Sequence, residues 1–375
     1  MSGTFEQAKD FFVRGVGHYQ AGRWEDAETC FAASLALLPG RVSTLTNLGA
    51  ARLKLGRLQE GLELLEEALA QEPGDTEALG HRAAALAGLD RHAAAVECLE
   101  RLLAIDASSG GAWSLKGSLL KDLGRHAEAA IAFEHAIARG ADVELNRYFL
   151  ASLRGGATPA APPRHYVEML FDGYADGFDE HLVGVLNYRA HRVLAEGVLA
   201  LDRRFACALD LGCGTGLCGA LVRPLVDRLE GVDLSGNMVA VAQERGIYDR
   251  LAQDDVVHYL DNATRRYDLV LAADVFIYVG ALGPVFAAVA RLMDAGGVFC
   301  FSVEEAGEGE DLALRTSLRY VHSERSVRAL AQAHGFEVHN IARQPIREDQ
   351  RVPIPGLYVW LVRRESRGGG ALQNQ

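Results

Sequence analysis

The chain has 375 residues, 49% of them hydrophobic and 23% charged, enough for two domains with separate cores. Its net charge of -12 argues against a general nucleic-acid binder, which needs a cationic surface for phosphates, and leaves open only a local basic groove. No run approaches about 18 apolar residues and residues 1–20 hold no signal-peptide hydrophobic region, so a cytoplasmic protein without a membrane partner is expected.

The first half of the chain is periodic. Gly15, Gly49, Ala83 and Gly117 are spaced 34 residues apart, as are Ala27, Gly61, Ala95 and Ala129, and Phe31, Leu65, Leu99 and Phe133. Arg23, Arg57, Arg91 and Arg125 keep the same step, preceded by Gly22, Gly56, Asp90 and Gly124, and Pro39 and Pro73 close two of the units. Small residues let two helices touch while large ones fill the gap to the neighbour. The pattern resembles the tetratricopeptide repeat, with Ala83 for a glycine, Gly61 for an alanine and Ala107 where a proline often sits. Residues 1–154 are therefore expected to form an all-α solenoid: four repeats over residues 8–141, closed by a capping helix at 143–154. The resemblance implies a concave face that binds a protein or peptide; a structural role is the alternative.

Residues 155–163, Gly-Gly-Ala-Thr-Pro-Ala-Ala-Pro-Pro, disfavour helix and sheet and read as an exposed linker. A second domain is expected over 164–366, followed by a frayed tail at 367–375. Within 165–182, Phe171, Tyr174 and Phe178 fall at helical spacing, a stripe that suits ordinary core packing or a cover over a site.

Residues 206–211 form a short apolar run that meets glycines at once, as a buried parallel strand entering a tight turn does. Gly212, Gly214 and Gly216 permit positive φ and close backbone approach, and a helix from about Leu217 offers free N–H groups to a ligand. A second apolar run, 229–232, ends in Asp233, 21 residues after Gly212, where a carboxylate can accept both hydroxyls of a ribose. A dinucleotide fingerprint would need glycine at Leu217. Instead Asp210 precedes a G-x-G-x-G turn, and the stretch resembles motif I of the class I S-adenosylmethionine-dependent methyltransferases.

That resemblance covers roughly residues 171–362. It implies a Rossmann-like, doubly wound α/β sheet with ligand bound beyond the carboxyl ends of its strands. A third strand is expected at 251–257, a fourth starting at Tyr267, a fifth at 298–303 after a turn at 292–297, and a closing hairpin from 335–341 and 357–362. By the same resemblance S-adenosylmethionine is the cofactor. The turn with Cys213 would hold its methionine half, and Asp210 would organise water and the ammonium group. Asp233 with Leu234 would take the ribose. Asp255 would take the adenine amino group and Val256 N–H the ring nitrogen, with Asp254 as the one-residue alternative. Tyr174 would cover the cofactor as part of an amino-terminal lid. Asp274 and Tyr278, after the fourth strand, stand where family members place methionine-binding or substrate-facing groups.

Tyr278 and His322 are the candidate catalytic residues, His322 as a base. Methyl transfer from a sulfonium is an in-line displacement that mainly needs alignment and exclusion of water, so a general base is required only for an acceptor protonated at working pH. The six cysteines, Cys30, Cys98, Cys207, Cys213, Cys218 and Cys300, include no C-x-x-C pair or histidine partners, and neither metal nor disulfide is expected. The loop after the fourth strand lacks the N/D-P-P-Y/F tetrad, which counts against adenine or glutamine-amide acceptors. Lysine occurs only at Lys9, Lys54, Lys116 and Lys121, beside abundant arginine and alanine, a usage that points to a GC-rich bacterial source. The whole order resembles bacterial methyltransferases that contain tetratricopeptide repeats. The expected function is methyl transfer to an acceptor the sequence does not identify, with the repeats binding a partner or substrate. A repeat scaffold with a weak cofactor domain is the first alternative, and a nucleotide-sugar or NAD enzyme the second.

Overall fold

The computed structural model describes residues 2–155, 158–172, 178–349 and 351–365, and the chain separates into two compact units, Met1–Arg154 and Gly155–Gln375. Among the described residues no helix is long and apolar enough to cross a membrane.

Among the described residues the first unit is nine helices: α1 (Ser2–Gln20), α2 (Trp24–Leu37), α3 (Val42–Lys54), α4 (Leu58–Gln71), α5 (Thr76–Gly88), α6 (His92–Ile105), α7 (Gly110–Asp122), α8 (His126–Ala138) and α9 (Val143–Arg154). The 34-residue step is the geometry of one helix pair. A side chain at Gly15 would place its Cβ 2.6 Å from the Phe31 ring, and one at Gly117 2.5 Å from Phe133, so the helices of each pair close only over a small residue. Every turn inside a pair is the same left-handed cap. Gly22, Gly56 and Gly124 have φ of 72°, 75° and 72°, and Asp90 takes the fourth place at 57°. The following arginine N–H then bonds back across the cap, from Arg23 to His18, Arg57 to Arg52, Arg91 to Leu86 and Arg125 to Leu120, at 2.8–3.0 Å.

Among its described residues the second unit is built on a nine-stranded sheet. Its core strands are β1 (Phe205–Leu211), β2 (Val226–Asp233), β3 (Arg250–Gln253), β4 (Tyr267–Ala272) and β5 (Met293–Glu305). They are joined by α12 (Leu217–Val222), α13 (Gly236–Glu244), α14 (Val256–Asn262) and α15 (Leu282–Leu292), after α10 (Arg164–Asp172) and α11 (Ala190–Leu199). Then follow β6 (Leu312–Leu314), β7 (Tyr320–His322), α16 (Glu324–Ala333), β8 (Phe336–Asp349) and β9 (Val352–Arg363). The order is β3-β2-β1-β4-β5-β7-β6, with β1 to β5 parallel, β9 antiparallel to β5 and β8 antiparallel to β9.

Strand alternation makes the layers. Leu209, Leu211, Val270, Phe299 and Phe301 point to one face, under α14, α15 and α16. Ala208, Leu269, Leu271, Val298 and Cys300 point to the other, with Leu194 and Val198 of α11 and Trp360 of β9. Gly197 lets α11 lie on the Trp360 indole, which a Cβ there would meet at 2.2 Å.

Several expectations need correction. The third strand stops at Gln253, because Asp255 caps α14 by accepting from Val257 N (2.8 Å) and His258 N (3.0 Å). The closing hairpin is longer than hydropathy suggested: residues 342–349 and 352–356 continue the ladder, and many of them are exposed. The β6–β7 pair was not anticipated, its strands being three residues each. The expected linker is not wholly free either: Ala160 O accepts from Gly280 N and Ala281 N, each at 2.9 Å, which ties residues before Arg164 to the sheet domain.

Candidate active site

At the carboxyl ends of β1, β2 and β4 lies a cavity of about 540 Å³, the size of a small-molecule site. Its floor is the glycine turn. Gly212, Gly214 and Gly216 have φ of 59°, 52° and 95°, and a Cβ on Gly212 would meet Val275 at 2.5 Å while Gly214 faces open space. Asp233, at the end of β2, is nearly buried and lines the cavity. One of its oxygens accepts from Gly214 N at 2.8 Å and the other from Ser235 N at 2.9 Å, so the carboxylate is fixed against the turn. Burial pushes it above the usual carboxylate range, and the three backbone N–H groups around it oppose that shift.

Asp210 is fully buried beneath the turn and also borders the cavity. Tyr248 OH donates to its Oδ2 at 2.8 Å, while Oδ1 has no partner. Burial raises this carboxyl to about 7, helped by the Asp233 charge and opposed by the Tyr248 bond. Tyr248 reaches it only because Gly219 and Gly231 leave room: a Cβ on either would sit 2.2 Å and 2.9 Å from the phenol. Nothing in the local sequence around Tyr248 marks it, since its partner lies 38 residues away. Cys213 is buried in the cavity wall, and burial beside Asp210 and Asp233 holds its thiol well above the ordinary value, so it packs as a neutral group.

Asp255 and Val256 line the cavity; Asp254 instead holds His258 Nδ1 at 2.7 Å and lies 3.8 Å from Arg164. The Asp255 cap takes Val257 and His258, leaving Val256 N–H outside it. Leu234 also lines the cavity. On the lid side, Phe171 of α10 and Phe178 both line it, their ring centroids 6.4 Å apart, and Phe171 meets Tyr278 edge-on at 5.4 Å. Ser235 Oγ donates to Asp172 Oδ1 at 2.6 Å, and Asp179 binds both Thr215 and Arg245. Tyr174 lies outside the described residues.

The far end differs in chemistry. Asp274 has φ of 60°, a left-handed conformation strained for a non-glycine residue; its N–H is held by Ser302 Oγ at 2.8 Å. Arg347 from β8, 2% exposed at its side chain, binds both Asp274 oxygens at 3.0 and 2.9 Å and also Glu304. Asp274 therefore borders the cavity as half of a buried ion pair, with its lone pairs largely used. Tyr278 lines the cavity beside Arg319, and burial raises its phenol while Arg319 partly offsets that rise. His322 does not line the cavity. It is 3% exposed, Nε2 faces the carbonyls of Val279 (3.0 Å) and Phe276 (3.3 Å), and burial lowers it to about 4. That position corrects its assignment as a base: the ring spans main-chain carbonyls under the loop after β4. The histidine on the cavity wall is His191, stacked on Tyr188 at 5.2 Å and also lowered by burial to about 4. Arg347 and Arg319 were likewise missed, being polar residues in segments that carry no motif. Among the described residues no group of three His, Cys, Asp or Glu side chains could hold a metal.

Residues 186–341 match the family described as "Methyltransferase domain". With the glycine turn and Asp233 in place around one cavity, that match decides the unit. Residues 186–341 are a methyltransferase domain. Tetratricopeptide repeat families match residues 12–76, 52–119 and 110–139, so the methyltransferase domain follows tetratricopeptide repeats in this chain. No curated protein matches the chain. Among solved structures it is similar to the Burkholderia thailandensis 1,6-didemethyltoxoflavin-N1-methyltransferase with bound 1,6-didemethyltoxoflavin and S-adenosylhomocysteine. That likeness is 21% identity over 56% of this chain and 94% of that one, at a TM-score of 0.45. It is also similar to the Synechocystis PCC 6803 magnesium protoporphyrin IX methyltransferase, at 19% identity over 53% and 99% of the two chains and a TM-score of 0.42. The MamA protein is similar at 21% identity over 40% of this chain and 84% of that one, at a TM-score of 0.36.

Proposed function

We propose that this methyltransferase acts on a small acceptor held in the same cavity as the cofactor, and that its repeats bind a protein partner. The carrying observation is the continuity of the cavity from Asp233 and the glycine turn to Asp274, Tyr278 and Arg319. In this reading Asp233 accepts the ribose hydroxyls and the turn from Gly212 to Gly216 admits the methionine half. Asp255 and the Val256 N–H meet the adenine. The residues fit the group: Asp233 is already fixed by two backbone donors, and a side chain on Gly214 would project into the open space in front of it.

When bound, the cofactor supplies a methyl group already activated on a sulfonium. Asp233, the glycine turn, Asp255 and Val256 would hold it there, and the chain's part is to align an acceptor with the line of attack on that methyl. Phe171 and Phe178 exclude water from that line of attack, and the apolar wall around Ile277 and Val279 holds the acceptor in place. Asp274 is committed to Arg347 and His322 to two carbonyls, so neither serves as a ready base. Binding a partner accounts for the repeat unit, which holds no catalytic cluster among its described residues.

Calorimetry with S-adenosylhomocysteine tests the nucleoside assignment. Asp233→Ala should weaken binding about tenfold or more, since hydrogen bonds to a charged group contribute roughly 1.5–3 kcal/mol each. Because Gly214 and Ser235 also lean on that carboxylate, Asp233→Asn, which turns one accepting oxygen into a donor facing an N–H, should show the same direction with a lowered melting temperature and a retained fold, checked by circular dichroism. Equal affinity in both variants, or tighter binding of NAD, sinks the assignment.

A further inference from the structure

We infer that the methyl acceptor carries a carboxylate and that Arg319 is the residue that selects it; this rests on the reading of the cavity as the methyl-transfer site. Arg319 lines the cavity at the end of the β6–β7 turn, where Arg315 N donates to its carbonyl at 2.9 Å and fixes the backbone. Its side chain stands beside the Tyr278 phenol. Ile277, Val279, Ala281 and Pro284 line the same cavity and carry no charge.

The contrast with the other arginines is the argument. Arg347 is bound by Asp274 and Glu304 together. Arg315, four residues earlier on the same turn, is paired with Glu310, and Arg164 with Glu168. Among the described residues Arg319 makes no ion pair within 4.0 Å. Glu304 is near enough to feel its charge, but that carboxylate is already bound to Arg347. A half-buried guanidinium against apolar walls is costly unless an anion meets it, and its planar fork matches a carboxylate through two parallel bonds. A dianionic phosphate would want a second free cation, and the terminal nitrogens of Arg347 at this end are already bound to Asp274 and Glu304.

The cofactor's own carboxylate is the competing anion, and sheet topology argues against it. The glycine turn follows β1, while Arg319 precedes β7, three strand positions away across β4 and β5. At about 4.8 Å per strand that is roughly 14 Å, on the acceptor side of the cavity.

The test uses the full chain saturated with S-adenosylhomocysteine. Benzoate, 4-hydroxybenzoate and 3-phenylpropionate are each titrated against the matching primary amide, which has the same shape and no charge. At least one acid should bind about tenfold or more tighter than its amide. Arg319→Gln should abolish that preference and Arg319→Lys restore part of it, with affinity for S-adenosylhomocysteine within about threefold throughout. Acids and amides binding alike, no acid binding at all, or a preference that survives Arg319→Gln overturns the proposal. Loss of S-adenosylhomocysteine binding in Arg319→Gln would place the residue on the cofactor and overturn it as well. If wild type itself fails to bind S-adenosylhomocysteine, the underlying reading of the cavity falls instead.

Discussion

The two units use charge in different ways. In the repeats the ion pairs lie on the outside: Arg57–Glu60 and Arg125–Glu128 join side chains 41–54% exposed, and Arg82–Glu66 and Lys116–Glu100 repeat one pair at the 34-residue step. Beneath them the core is small residues against large, Ala27, Phe31, Ala129 and Phe133 all fully buried. The methyltransferase domain has exposed pairs too, Arg204–Asp227 and Arg266–Asp294 among them, but it also places charge inside. Arg347, Asp274 and Glu304 have side chains only 2%, 14% and 8% exposed, and Asp210 is fully buried. A repeat that must only stack can leave its polar groups in water. A cavity that must hold a polar ligand brings them into the core and has to pair them.

The sharpest way to break this contrast is Arg347→Met. It strands two carboxylates that share one guanidinium, and breaking a buried pair by removing one partner costs about 3–5 kcal/mol. Chemical denaturation of the full chain should show the methyltransferase transition displaced by that amount, with the repeat transition unmoved. A shift below about 1 kcal/mol would mean the cluster relaxes into water.

The matching core deletion in the repeats is Phe133→Ala, which empties the space over Gly117 and should cost about 3 kcal/mol. It should leave S-adenosylhomocysteine affinity unchanged; coupled loss of binding would show that the catalytic domain depends on repeat packing.

A smaller effect concerns pH. Asp210 in the folded protein titrates near 7, above its unfolded value, so the folded state binds the extra proton. Its contribution to stability is present below the unfolded carboxylate value and is lost as pH rises through about 7. A cofactor carrying an ammonium group reverses this locally by favouring the charged carboxylate. Affinity for S-adenosylhomocysteine should therefore rise between pH 6 and pH 8 with release of protons, seen by calorimetry in buffers of different ionisation enthalpy. Asp210→Asn should flatten the profile. An unaltered slope in that variant would move the titration to Asp233, its charged neighbour across the turn.

The smallest effect belongs to the exposed ladder. Arg57→Ala removes its pairs with Glu60 and Glu28, yet exposed pairs contribute little, and the melting temperature should not move measurably.

Much of this was readable along the chain. The 34-residue register anticipated the helix pairs and the Arg23, Arg57, Arg91 and Arg125 caps, because each repeat is completed by residues close in sequence. Gly212 to Gly216 and Asp233 were readable for the same reason: a strand, a turn and the next strand lie within about one crossover. Neither hydropathy nor spacing tells that a histidine will span two carbonyls or that Ala160 will bond Gly280 and Ala281.

By itself the sequence determined the local and periodic parts, namely the helix pairs, the glycine turn and the acid that closes β2, where the interacting groups are a few turns or one strand apart. Only the tertiary structure decided what the cavity is made of. Tyr248 reaches Asp210 across 38 residues, Arg347 reaches Asp274 across 73, and the two short strands β6 and β7 bring Arg319 to the wall. Those contacts depend on the order in which strands join the sheet, and strand order is set by the burial of whole faces, which no single segment carries in its own pattern.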